Sequence, residues 1–181
     1  MTDRAIIRGG LQRVGLPADE ATIDGICATY LAALADEMPR SEGFRVHPGV
    51  RELLASLSDR RGVAVGLGTG NLREGARIKL EHARLHHHFA FGGFGCDHED
   101  RTAIVDLAAA RGAEHLGVPR AACRVVVIGD TPRDVAAARD IGAEAVTVET
   151  GGIAAAELLA AGATRAYPDL AAPKVLEALL G

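Results

Sequence analysis

Apolar positions recur at helical spacing from residue 3 to about residue 38, with Ile6, Ile7, Leu11 and Val14 along one face. Gly15-Leu16-Pro17 interrupts the stripe, which resumes over residues 19–34. Residues 39–48 are rich in glycine, proline and charge and read as a linker. Beyond Gly49 the texture changes. Val50, Leu53, Leu54 and Leu57 form a helical stripe that Arg61-Gly62 ends. Short apolar runs then alternate with longer helical ones. The pattern predicts strands over 63–67, 89–91, 124–128, 144–148 and 164–167, and helices over 72–83, 102–111, 135–141, 153–161 and 173–180. Gly92-Gly93-Phe94-Gly95 reads as a glycine-rich segment after the second strand. Strands alternating with helices predict an α/β fold, an open parallel sheet with helices on both faces, behind a helical segment.

Composition narrows the picture. At 181 residues, with 48% apolar and 24% charged residues, the chain has room for one sizeable core and a small appendage. Aromatic residues are 3% and the net charge is −4, so neither stacking platforms nor positive charge favour a nucleic acid partner. Cys27, Cys96 and Cys123 are odd in number and far apart, the pattern of a reduced, cytoplasmic protein. No apolar run approaches a membrane span.

The chemistry concentrates where strands give way to helices. Val125-Val126-Val127-Ile128 reads as a strand buried on both faces, and it ends abruptly in Gly129-Asp130-Thr131-Pro132-Arg133-Asp134. Pro132 fits a first helical turn. Asp130 and Asp134 therefore stand where a strand's carboxyl end meets a helix, the ligand crevice of an open α/β sheet, with oxygen ligands suited to Mg²⁺. As a plain alternative, Asp134 complements the helix dipole and Asp130 forms a turn. Gly66-Leu67-Gly68-Thr69-Gly70-Asn71 occupies the same kind of place after another strand. Its glycines admit an anion to the backbone, the Thr69 hydroxyl can bond an oxygen, and a helix N-terminus follows. A dinucleotide site is disfavoured by the misplaced third glycine, and an ordinary capped turn is the other reading. Asp97-His98-Glu99-Asp100-Arg101 enters a helix, and Arg101 has the forked donors that suit a phosphate or a solvated helix start. His86-His87-His88 cannot all face one ion and reads as a solvated helix end. Cys96 has no evident base partner.

Together these residues resemble the haloacid dehalogenase-like hydrolase superfamily, specifically its phosphoglycolate-phosphatase-like branch, over nearly the whole chain. Gly68-Thr69-Gly70-Asn71 is similar to the motif whose hydroxyl binds the transferring phosphoryl group. Arg101 stands where a cation neutralises that phosphate, and Gly129 to Asp134 resembles the acidic motif that holds Mg²⁺. The resemblance implies a Rossmannoid core over residues 47–181 and a partial helical cap over residues 1–46. Thr69 and Arg101 would be catalytic, with Thr69, Gly70, Asn71 and Arg101 on the phosphate and Asp130 and Asp134 on Mg²⁺. The implied activity is phosphatase, acting on a small phosphorylated metabolite, with no nucleic acid or membrane partner.

One departure limits the resemblance. The family's nucleophile lies in a D-x-D-G-T segment ending the first core strand, and this sequence contains no such segment. Asp24-Gly25 does not replace it, because no aspartate precedes it by two and it lies in a helical stripe. The expectation is an N-terminally shortened chain whose first core strand, central between those ending at Thr69 and Asp130, is missing. Impaired hydrolysis and self-association through unpaired strand edges would follow. A non-catalytic phosphate- or partner-binding protein is the competing class.

Overall fold

The computed structural model describes residues 1–181. Helices α1 (Asp3–Arg13) and α2 (Glu20–Glu37) form the helical segment, and α3 (Val50–Ser58) opens the α/β portion. There follow β1 (Gly66–Gly68), α4 (Arg73–His82), β2 (Phe91–Gly93), α5 (Arg101–Leu116), β3 (Val126–Gly129), α6 (Pro132–Asp140), β4 (Glu144–Val148), α7 (Ala155–Ala160), β5 (Arg165–Tyr167) and α8 (Val175–Leu180). Caps fix the starts. The Thr2 hydroxyl accepts from Ala5 N–H, Asp19 from Thr22 N–H and Asp100 from Ala103 N–H, each satisfying a donor without a partner in its own helix.

All strand pairs are parallel and flanked by helices, as expected, and they form two sheets separated where the sequence lacks the strand expected between β1 and β3. One has the order β1-β2, with Leu67 opposite Gly92; the other has β3-β4-β5, with Val127 opposite Ala145 and Thr147 opposite Ala166. No backbone hydrogen bond joins β1 to β3, so each is paired along one edge. The reading of 125–128 as covered on both faces is corrected accordingly. Val126 and Val127 are half-buried and Ile128 is 40% exposed, whereas Ala145 to Val148 of the central β4 are buried.

Helices cover what the strands leave. Val135 and Ala138 of α6 and Leu158 of α7 pack on Ala145 of β4. Leu11 of α1 meets Ile23 and Cys27 of α2 and Leu72, so the helical segment rests on the start of α4. Leu53 and Leu57 of α3 enclose Val175 of α8.

The second strand lies later than its apolar pattern suggests, over Phe91–Gly93 rather than 89–91. The Phe91 ring lies across Gly66, where a Cβ would come within 2.1 Å of it, and this pins the register. At Gly93 a Cβ would stand 2.0 Å from the Ile104 carbonyl oxygen, so its missing side chain lets α5 approach the strand's backbone. The glycines thus serve a close approach inside the strand. His86–His88 form a 3-10 turn after α4, and His88 Nδ1 meets the Ser58 hydroxyl at 2.8 Å. Burial, with His87 beside it, lowers the His88 pKa.

Candidate active site

The loop after β1 is built around its own backbone. Thr69 N–H donates to the Gly93 carbonyl at 3.0 Å, tying the loop to the end of β2. The Thr69 hydroxyl oxygen accepts from Asn71 N–H at 3.2 Å, which orients it and leaves its proton free to donate. Gly70 N–H has no acceptor, while the Gly70 carbonyl accepts from Asp3 N–H at 2.9 Å. Asp3 Oδ2 in turn accepts from Leu72 N–H at 2.8 Å, so a residue of α1 caps α4 from outside that helix. One hydroxyl and one backbone N–H therefore remain available to an anion here.

The loop after β2 carries Asp97 to Arg101, and each of its charges has work within the fold. Asp97 receives Arg111 at 2.8 Å and Phe94 N–H at 2.9 Å, and its carboxyl is held below the usual range chiefly by the Arg111 bond. Glu99 receives Nε and Nη2 of Arg8 at 3.2 and 2.8 Å, joining α1 to this loop. Asp100 caps α5, and Arg101 turns toward β3.

Asp134 meets Arg101 there. Nε and Nη2 of Arg101 donate to Asp134 Oδ1 at 3.1 and 2.5 Å. The other oxygen accepts from Asp130 N–H at 3.3 Å, Thr131 N–H at 3.2 Å and the Thr131 hydroxyl at 2.9 Å. This is the reciprocal box of a helix N-terminus, completed by the arginine fork. The Asp134 side chain is 7% exposed, so its charge rests on these donors. At Gly129 a Cβ would fall 2.3 Å from Asp134 Cβ; the glycine that ends β3 is what admits this carboxylate.

Asp130 differs. Its carboxylate accepts no hydrogen bond and lies beside Gly151, where an added Cβ would come 2.6 Å from Oδ2. Continuous contacts connect it to Thr69. Thr69 is bonded to Gly93, Gly93 abuts Ile104 one turn after Arg101, Arg101 holds Asp134, and Asp134 accepts from Asp130 N–H. Thr69 and Gly70 thus follow the carboxyl end of β1, Arg101 opens α5, and Asp130 and Asp134 follow the carboxyl end of β3, with Arg101 and Asp134 paired. The Asn71 carbonyl accepts from Gly95 N–H at 2.8 Å, and its Oδ1 accepts from Lys79 Nζ of α4 at 3.2 Å.

Sequence reasoning passed over Asp3, Arg8 and Lys79. Asp3 and Arg8 reach the site only through the tertiary docking of α1. The position of Lys79, two helical turns beyond Asn71 on α4, carried a readable signal.

The donor set fits Mg²⁺ poorly. Asp134 is filled by hydrogen-bond donors, which leaves Asp130 as the single free carboxylate, and no group of three or more His, Cys, Asp or Glu side chains converges to hold a metal.

A family model described as haloacid dehalogenase-like hydrolase matches residues 9–142. The chain belongs to the haloacid dehalogenase-like hydrolase family. Solved structures agree in fold. A hydrolase from Pseudomonas syringae superposes with a TM-score of 0.67 at 24% identity, over 94% of this chain and 75% of that one. A Thermotoga maritima protein described as a beta-phosphoglucomutase gives 0.60 at 27% identity, over 74% of this chain and 59% of its own. A haloacid dehalogenase family hydrolase from Deinococcus radiodurans, solved with bound phosphate and sodium, gives 0.51 at 21% identity over 92% and 70%. No curated protein matches the chain. Among these haloacid dehalogenase-like proteins the parallel α/β architecture is the common ground, and no helix of this one is long and apolar enough to cross a membrane.

Proposed function

We propose that this chain carries the phosphoryl-binding half of a phosphomonoester hydrolase site. The observation that carries the reading is the chemistry of the three loops that follow β1, β2 and β3. They supply a free hydroxyl and N–H at Thr69 and Gly70, a cationic fork at Arg101 and an unpaired carboxylate at Asp130. The bound phosphate of the Deinococcus protein supports the ligand class.

In this reading Thr69 and Gly70 donate to phosphoryl oxygens, and the free Nη1 of Arg101 offsets their charge. Asp134 acts at one remove. It accepts two donors of Arg101 on one oxygen and so fixes the plane of the guanidinium. Asp130 is the one carboxylate at the end of β3 that accepts no hydrogen bond. With no D-x-D-G-T aspartate in the sequence, binding should exceed turnover. The mutual pairing of Arg101 and Asp134 keeps the non-catalytic phosphate binder as a second reading, since it holds the site together without substrate.

The test is calorimetric titration with inorganic phosphate, alongside p-nitrophenyl phosphate hydrolysis with and without Mg²⁺. Thr69→Val should weaken phosphate binding about tenfold, the loss of one charge-assisted hydrogen bond. Turnover above that of Asp130→Asn would establish the hydrolase, and binding without turnover the binder. Absence of phosphate binding in the parent protein would end both readings.

A further inference from the structure

The second face of β1 is incompletely covered. Beside Thr69 opens a cavity of about 310 Å³, the small end of the range for ligand sites. Its apolar floor includes Leu67 of β1, Leu80 of α4 and Phe44 of the linker. Its polar groups are Thr69, Asn71 and Lys79, with Arg45 and His47 on the linker side. No aspartate or glutamate lines it.

Charge and shape then point the same way. Lys79 is half-buried and gives one proton to Asn71 Oδ1 at 3.2 Å, which leaves two donors of its ammonium group unassigned. Arg45, exposed on the linker side, adds a second, solvent-screened positive charge. A ligand seated on the apolar floor would meet this positive potential with no carboxylate among the lining residues. Because the Thr69 that lines the cavity is also the proposed phosphoryl ligand, a group bonded to that phosphoryl can extend into the space directly.

We propose that the cavity seats the organic part of the phosphoester and selects a compact apolar group with an anionic end, which Lys79 receives. The inference rests on the phosphoryl-binding reading and deepens it. Amino-alcohol phosphates are disfavoured, since their cation would face Lys79 with no carboxylate in the lining.

Non-hydrolysable phosphonates test this without turnover. Inorganic phosphate, phenylphosphonate, 4-carboxyphenylphosphonate and 4-(aminomethyl)phenylphosphonate are titrated calorimetrically against the whole chain and its Lys79→Met variant. Phenylphosphonate should bind about tenfold tighter than phosphate, from burial of the ring. The carboxy compound should exceed the aminomethyl one by about tenfold, and Lys79→Met should erase that difference while keeping the gain from the ring. Phosphate binding with no gain from the ring would overturn the cavity assignment and leave the phosphoryl site standing. If neither phosphate nor any phosphonate binds, the function reading fails, and benzoate decides the cavity by methyl NMR. Shifts at Leu67 and Leu80 would keep it as a seat for apolar anions, and their absence would overturn it.

Discussion

At Asp134 a single carboxylate does two jobs. It closes the N-terminal box of α6 and it receives the fork of Arg101 from another element. Breaking the pair from the arginine side strands a charge that is 7% exposed, while Arg101 itself is 33% exposed, which moderates the cost. Arg101→Met should destabilise the fold by about 2 kcal/mol in urea unfolding, and Arg101→Lys should recover little, because an ammonium cannot reproduce the two-donor geometry. Unchanged stability in Arg101→Met would mean that the helix donors alone hold Asp134. Asp97 supplies the pH dependence. Its folded carboxyl lies below the ordinary range, principally because of Arg111, so its contribution is fully present above the unfolded pKa of about 3.9 and is lost as pH falls through the lower folded value. Between pH 6 and pH 2.5 the parent protein should lose more stability than Asp97→Asn; equal slopes in paired denaturant titrations would refute the assignment.

Among the elements, the docking of α1 is the feature with most reach. Asp3 caps α4, and Arg8 holds Glu99 two residues ahead of Arg101, so one helix braces two of the site loops. Asp3→Ala removes the acceptor for Leu72 N–H and should cost about 1 kcal/mol. Hydrogen exchange should place the increased opening in the first turn of α4, and protection there equal to the parent's would count against the cap. The sequence displayed these elements unevenly. Residues 144–148 were legible because a largely apolar run in a doubly covered strand needs no alternation. The site loops were legible for a similar reason, since strand ends followed by small and acidic residues are local signals. Gly92 and Gly93 misled because their role in β2 depends on Leu67 of β1 and Ile104 of α5, which lie elsewhere in the chain. The Arg101–Asp134 pair was likewise hidden, since a separation of 33 residues has no local signature.

For the whole molecule, the division into two sheets matters most. Ile128 lies 40% exposed on a strand lacking a second partner, and no lysine or proline within Val126–Gly129 blunts that edge. Sedimentation velocity should therefore show association that grows with protein concentration, and Ile128→Lys should suppress it. A sedimentation coefficient independent of concentration would show the edge to be shielded. The helix α5 is the bridge, lying on β1 and β2 while packing against α6 and reaching Asp134 through its first residue. Cooperativity has to pass through that helix rather than through a shared backbone ladder. Calorimetric melting should accordingly resolve into two components, the β3-β4-β5 half outlasting the other because its central strand is its best-covered part. Such a molecule would breathe along the seam between its halves, and the residues that could meet a phosphate stand on opposite banks of it.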